Sequence, residues 1–107
     1  MTLRQEKVNK LVQKLAADFL ESESNRTSLI TVTGANVSSD LRSAEIFITV
    51  LPVEAEGDAL NFVKRKRSDL RDYLKKRTKM RVIPFLEFVI DQGEKNRQRI
   101  DEISNMD

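Results

Sequence analysis

The fold is decided by residues 29–51, which read LITVTGANVSSDLRSAEIFITVL. Residues 29–37 are dense in Ile, Val and Thr, which fit a pleated surface, and Gly34 among them predicts a bulge. Residues 38–40 supply turn chemistry, and apolar side chains then occupy alternate positions from Ala44 to Val50. We therefore predict two strands that pair as a β-hairpin.

An amphipathic helix is predicted ahead of this hairpin. Thr2 and Gln5 have the spacing of a capping box, and apolar residues recur at three- and four-residue steps from Val8 to Leu20. We expect this helix over about residues 3–21. The polar residues 22–28 have no apolar anchor, so we expect them to form a loop.

The chain after the hairpin reads as a connector, a helical region and a strand. Pro52 and Gly57 mark residues 52–58 as the connector, and a helical pattern begins at Ala59. Residues 80–90 are typical of a strand, in which Pro84 must occupy a bulge or a position that needs no hydrogen-bond donor. The side chains of this strand that we expect to face the core are Leu86, Phe88 and Ile90.

The helical region itself is expected to break. Leu60 and Val63 share a face that Leu70 and Leu74 resume two turns later, with only charged residues and Ser68 between them. One straight helix would leave this middle section without an apolar anchor. We therefore predict two shorter helices that join next to Ser68, with Ser68 capping the second.

The order helix, strand, strand, helix, helix, strand indicates an α+β fold with the helices on one face of a three-stranded sheet. A chain of 107 residues is long enough for one core and too short for two. We expect residues 1–91 to form this domain. Residues 92–107 are expected to be a polar tail that forms a short helix or is disordered.

The composition excludes several classes of function. The chain has no Cys and no His, which removes thiolate nucleophiles, the commonest metal ligand and the usual general base. We expect no catalytic residue, no metal and no cofactor. No segment approaches the roughly 20 apolar residues of a membrane span, and residues 1–20 are too charged for a secretory signal. We expect a cytoplasmic protein without a membrane or small-molecule partner.

The charge is concentrated in one block. From Lys64 to Arg81 there are ten basic and two acidic residues, although the whole chain carries only +2. This block therefore has a net charge of +8, and the rest of the chain has a net charge of −6. Clustered cations favour a polyanion, because binding releases condensed counterions. The alternative is a solvated helix face with no partner.

Three blocks of the chain together carry a family signature. The first helix contributes Arg4, Val8, Leu11, Leu15 and Ala16. The hairpin contributes Ile30 to Thr33, Val37, Ser38, Asp40, Leu41, Ala44 and Ile46 to Leu51. The third block, which ends in an Arg-x-x-Pro-x-Leu-x-Phe-x-x-Asp run, contributes Leu70, Arg71, Leu74, Arg77, Arg81, Pro84, Leu86, Phe88 and Asp91. Through these blocks, over about residues 4–103, the chain resembles the ribosome-binding factor A family.

The resemblance implies a type II KH-like fold and binding to 16S rRNA in the 30S ribosomal subunit. It also implies a role in late 30S maturation, in processing of the precursor 5′ end and in cold adaptation. One segment departs from the family, which usually carries Ala-x-Gly at the helix break where this chain has Lys66, Arg67 and Ser68. Without Gly a positive φ is disfavoured, so we expect a shallower kink or one stabilised by Ser68.

The candidate RNA-binding residues extend from the helix break to the third strand. They are Lys64, Arg65, Lys66, Arg67, Ser68, Arg71, Lys75, Lys76, Arg77, Lys79 and Arg81. Backbone N–H groups at a helix start near Ser68 would add donors for phosphate. Arg71 has an alternative role as the partner of Asp72 or of acidic residues in the hairpin, and Arg81 can instead cap a neighbouring turn.

Other polar and aromatic residues have structural explanations that we favour. Thr31, Thr33 and Ser38 suit strands and turns, and Asp40 suits the hairpin turn. The acidic residues Glu54, Glu56 and Asp58 are too sparse for a hard-cation loop. The aromatic residues Phe47, Tyr73 and Phe85 can stack on RNA bases, but we expect most of them to be buried.

These observations favour a monomeric, non-enzymatic assembly factor that holds rRNA through backbone shape and phosphate contacts. The alternative is a protein-interaction module that docks an acidic partner through its basic helix pair. An RNA-processing enzyme is disfavoured, because without His or Cys it would need a dense carboxylate metal site.

Overall fold

The computed structural model describes residues 3–23 and 29–93. Its elements, in chain order, are α1 (Leu3–Glu23), β1 (Leu29–Val37), β2 (Ser43–Leu51), a 3₁₀ turn (Val53–Ala55), α2 (Glu56–Arg65), α3 (Arg67–Arg77) and β3 (Phe85–Ile90). This is the predicted α+β order. The boundary at residue 91 stays a prediction, and residues 94–107 of the predicted tail lie outside the described residues.

The three strands form one sheet in the order β1-β2-β3. β1 and β2 pair antiparallel, which confirms the hairpin, and β2 and β3 pair parallel. The β1–β2 register shifts between Val32 and Gly34, so the predicted bulge is present. Its extra residue, Thr33, donates its hydroxyl to a carboxylate oxygen of Asp91 at 2.6 Å. The bulge therefore links β1 to the end of β3.

The hairpin turn is held by its own polar side chains. The Ser38 hydroxyl donates to Asp40 Oδ1 at 2.6 Å, and the Arg42 N–H donates to the same oxygen at 3.1 Å. These two bonds lower the pKa of Asp40, since both favour the ionised carboxylate. Leu41 lies at φ 61, a conformation that disfavours a branched side chain, so the bonds around it hold a strained turn. The structural role predicted for Asp40 agrees with this geometry.

The core lies between the helices and one face of the sheet. Helix α1 packs mainly on β1, while α2 and α3 cover β2 and β3. The fully buried core side chains include Val12 from α1, Val63 from α2, Leu70 and Leu74 from α3, and Ile46, Ile48 and Leu86 from the sheet. Leu86 and Phe88 face the core as predicted, and Ile90 is half-buried at its margin.

Three predicted boundaries were wrong. Helix α1 continues through Ser22 to Glu23, where the Ser22 hydroxyl donates to the Phe19 carbonyl. Helix α2 begins at Glu56 instead of Ala59, because acidic residues in a first turn are favoured by the helix dipole and outweigh the cost of Gly57. Strand β3 begins only at Phe85, directly after Pro84, which has no N–H to donate to a ladder.

The predicted helix break is confirmed, and a single residue forms it. Lys66 lies at φ −89 and ψ 2, its N–H donates to the carbonyls of Phe62 and Val63, and its carbonyl accepts from the Leu70 N–H at 2.9 Å. The break needs no positive φ and therefore no Gly. The capping role predicted for Ser68 was wrong, because Lys66 occupies the cap position and no side chain caps α3.

Candidate nucleic-acid interface

Two neighbouring hollows contain most of the basic residues predicted to bind RNA. The first, which we call the kink hollow, has a volume of about 580 Å³ and is lined by Arg42, Lys64, Arg65, Arg67, Ser68, Arg71, Ile83, Pro84, Phe85 and Leu86. The second, the turn groove, has a volume of about 880 Å³ and is lined by Arg4, Gln5, Val8, Leu11, Ser39, Asp40, Leu41, Arg42, Arg77, Thr78, Lys79, Met80, Arg81 and Val82.

The kink hollow forms where α2, α3, β3 and the hairpin turn meet. Buried Ile83 and Pro84 lie between α3 and β3 and anchor its apolar side. The Arg67 guanidinium lies 5.0 Å from the centre of the Phe85 ring. Arg71 follows Arg67 by four residues and therefore lies one turn along the same side of α3. Basic side chains thus surround an apolar floor.

The turn groove lies between the start of α1, the hairpin turn and the chain that leaves α3. Helix α3 ends at Thr78, whose N–H and hydroxyl both donate to the Leu74 carbonyl. This cap directs Lys79 and Arg81 into the groove. Arg77 enters it from the last turn of α3, with its guanidinium 4.1 Å from the centre of the Tyr73 ring.

Arg42 lines both hollows and makes them one surface. Its carbonyl accepts the Phe85 N–H at 2.8 Å, which fixes the hairpin turn against the start of β3. Nine basic residues line the combined surface, against one carboxylate, that of Asp40. That carboxylate is held within the turn by Ser38 and the Arg42 N–H. The combined surface, which we call the cationic surface, is therefore strongly positive.

Lys66 lies away from the cationic surface. Its Nζ is 3.4 Å from Glu23 Oε2 and 3.9 Å from Asp69 Oδ2, and it lies 5.9 Å from the centre of the Phe62 ring. Its charge is therefore compensated beside the end of α1. Lys66 lines neither hollow, and its role in RNA binding stays a prediction.

The two consecutive lysines of α3 lie on different sides of that helix. Lys75 follows Arg71 by four residues and shares its side, whereas Lys76 follows Asp72 by four and lies about 100° further around the helix. Both lysines are exposed, and neither lines the kink hollow or the turn groove. The cationic surface thus takes in eight predicted residues: Lys64, Arg65, Arg67, Ser68, Arg71, Arg77, Lys79 and Arg81.

Arg4 and Arg42 belong to the cationic surface but were missed as RNA contacts. Both lie outside the basic block from Lys64 to Arg81, and only the folded chain brings them to it. The alternatives for the predicted residues lack support. Within residues 3–23 and 29–93, Arg71 forms no ion pair, and Arg81 caps no turn.

The three candidate aromatic residues differ in exposure. Phe47 and Tyr73 are half-buried, and Tyr73 packs against Phe19 at 5.4 Å between ring centres. Phe85, in contrast, is 59% exposed. The alternation of β3 contained the signal, since residues next to the inward-facing Leu86 must face outward.

The remaining candidates have structural roles or no detected role. The Thr33 hydroxyl bonds Asp91 and the Ser38 hydroxyl holds the hairpin turn. In the described part of the chain, no group of three or more acidic residues is arranged to hold a metal ion. This holds for Glu54, Glu56 and Asp58 as well. No helix among the described residues is both long and apolar enough to cross a bilayer.

Comparison with known proteins identifies a family over almost the whole chain. A family model described as ribosome-binding factor A matches residues 4–104. The ribosome-binding factor A of Coxiella burnetii is 31% identical over 102 residues, which cover 94% of this chain and 86% of that protein.

Solved structures agree with the fold. The crystal structure of ribosome-binding factor A from Thermus thermophilus superimposes with a TM-score of 0.73 at 22% identity, covering 80% of this chain and 94% of that one. This likeness establishes the KH-like fold. A homology model of the Thermus thermophilus factor, fitted into a cryo-electron microscopy map of a complex between the 30S subunit and that factor, superimposes with a TM-score of 0.67 at 26% identity, covering 76% of this chain and 88% of that one.

Proposed function

The chain belongs to the ribosome-binding factor A family, and from this premise we propose that it is an assembly factor that binds 16S rRNA in the maturing 30S subunit through the cationic surface. We further propose that it acts late in maturation, aids processing of the precursor 5′ end and matters most in the cold. It acts without catalysis and as a monomer in the cytoplasm. Its partner is the free 30S subunit.

One observation carries the RNA-binding proposal. Arg42 joins two basic hollows into a surface lined by nine cations and one carboxylate. A row of phosphates that crosses both hollows would meet cations from α2, α3, the hairpin turn and the start of α1. Each phosphate neutralised by Lys or Arg releases counterions, so binding is expected to weaken steeply with salt.

The proposed mechanism is selection of one RNA conformation. The cationic surface is built from separate elements at fixed distances, so it complements one arrangement of phosphates better than others. A protein that binds one RNA conformer more tightly shifts the population towards it by that difference in affinity. Correct folding near the cleavage site would then present the precursor 5′ end to a separate nuclease, which accounts for a processing role without catalytic residues.

The test is the salt dependence of binding to purified 30S precursors. Because Arg67 and Arg71 line the kink hollow, the double variant Arg67→Ala/Arg71→Ala should reduce the slope of log K against log salt by about two units. Lys10→Ala/Lys14→Ala removes the same charge from the exposed face of α1 and serves as the control. An unchanged slope in the first variant, or an equal loss in the second, would contradict the proposal.

A second candidate function is docking of an acidic protein in the turn groove. Val82 is 69% exposed and Leu11 38% exposed among the cations that line this groove, so it also suits an acidic segment with apolar side chains. Nuclease treatment separates the two candidates. Association with proteins of the 30S particle that survives complete digestion of the rRNA would favour the protein partner, and release would favour RNA.

A further inference from the structure

We propose that the kink hollow is a subsite for one unpaired RNA base, which stacks on Phe85. This inference rests on the proposed function, and it specifies the form of RNA that the cationic surface selects. A base held in a duplex is stacked and paired, whereas an unpaired nucleotide can turn its face towards an aromatic ring. The subsite would therefore favour a loop, bulge or single strand over a continuous helix.

Phe85 is exposed on a rigid support. Its side chain is 59% exposed, although Ile83 and Pro84 immediately before it are buried. Its N–H is fixed by the Arg42 carbonyl at 2.8 Å, and β3 begins at this residue. An apolar ring that the fold holds in water has free surface to bury, and little conformational entropy is lost when a ligand covers it.

Arg67 lies beside this ring. The guanidinium lies 5.0 Å from the ring centre, so a flat cation and a flat aromatic group already share the site. Bases stack on both kinds of surface. Among the described residues, Arg67 Nε has no hydrogen-bond partner. The guanidinium can therefore shift to admit a base without breaking a bond at Nε.

The volume and charge of the kink hollow suit one nucleotide. A hollow of about 580 Å³ lies within the range of small-ligand sites. Lys64, Arg65 and Arg71 line the same hollow, where they can contact the phosphates on either side of a stacked base.

Binding measurements on the full chain separate stacking from charge. The probes are an oligouridylate of about eight nucleotides and an abasic strand with the same number of phosphates. Phe85→Leu keeps an apolar side chain but removes the ring, so it should weaken binding of oligouridylate about tenfold. It should leave binding of the abasic strand unchanged. Phe85→Tyr, which keeps an aromatic ring, should bind oligouridylate as tightly as the wild-type chain does.

A fluorescence measurement reports the contact itself. The chain has no Trp, so Phe85→Trp introduces a single fluorophore at the subsite. Oligouridylate should quench its emission, while an RNA duplex bound at the same salt concentration should not. Leu29→Trp places the fluorophore at an exposed position of β1 outside both hollows and should keep its emission with either probe.

The outcomes distinguish this inference from the proposed function. If the wild-type chain binds RNA but Phe85→Leu binds oligouridylate equally well and Phe85→Trp stays unquenched, the stacking subsite is refuted and the cationic surface stands. If the wild-type chain binds neither probe even at low salt, the proposed function fails and the subsite with it. Equal quenching by oligouridylate and duplex would also refute selection of unpaired bases.

Discussion

Adjacent residues at the helix break have opposite electrostatic environments. Lys66 lies against Glu23 and Asp69, and Arg67 lies over Phe85 in the kink hollow. Both residues were predicted to bind RNA, because a run of four cations does not show which way each side chain points until the helix geometry is known. The break at Lys66 places the two neighbouring side chains against different parts of the protein.

Asp40 offers a test at the scale of one residue. Bonds from the Ser38 hydroxyl and the Arg42 N–H lower its pKa in the folded protein, so its ionised form stabilises the fold. That contribution is complete above the pKa of the unfolded chain, at about pH 4, and is lost as the pH falls through the lower folded value. We expect Asp40→Asn to lower the melting temperature at neutral pH.

The pH profile contains the diagnostic result for Asp40. The difference in melting temperature between Asp40→Asn and the wild-type chain should shrink as the pH falls below about 4. Glu54→Gln, at an exposed position in the 3₁₀ turn, is the control and should not reproduce this pattern. A difference that stays constant down to acid pH would contradict the assigned role.

At the scale of elements, the helix break separates two kinds of contribution to stability. Ser68 is exposed and caps nothing, whereas Leu70 is fully buried in the core. We expect Ser68→Ala to change the free energy of unfolding by less than about 0.5 kcal/mol and Leu70→Ala to reduce it by about 2–5 kcal/mol. Urea denaturation measures both values. A loss above about 1 kcal/mol in Ser68→Ala would show that its hydroxyl does stabilise the break.

Most elements of this fold could be predicted from the sequence, and their ends could not. The alternation of residues 44–50 and the interrupted face from Leu60 to Leu74 follow from the geometry of strands and helices. The start of α2 at Glu56 depends on the balance between a favourable first turn and an unfavourable Gly. Such differences are small, so packing decides them.

For the whole molecule, the concentration of basic residues in one block could be predicted from the sequence. The full set of residues that forms the cationic surface could not. The basic block from Lys64 to Arg81 is visible in the sequence, but Arg42 joins it only because β2 and β3 are parallel neighbours. The exposure of Phe85 was likewise not predicted, although the alternation of side chains along β3 indicates that this residue faces outward. Pairing between distant segments has no local signal, so the missed residues are the ones that tertiary structure supplies.

Arg42 offers a test of whether the two hollows act as one surface. Because it lines both hollows, Arg42→Ala should reduce the salt slope for 30S precursors by about one unit and weaken binding as much as Arg71→Ala. Its carbonyl still accepts the Phe85 N–H, so the hairpin turn should stay in place. Lys14→Ala is the control with the same charge change. Unaltered binding by Arg42→Ala would show that the two hollows do not act together.

The parallel pairing of β2 and β3 also governs when this surface comes into existence. The two strands are joined by the whole of α2 and α3, so their ladder closes a long loop at a cost in chain entropy. Contacts that are distant along the chain form slowly and late. A growing polypeptide that has not yet reached Phe85 already contains most of its cations, but it lacks the β2–β3 pairing that brings Arg42 beside the kink hollow. The discrimination between RNA shapes that we propose would therefore be acquired only after β3 has paired with β2.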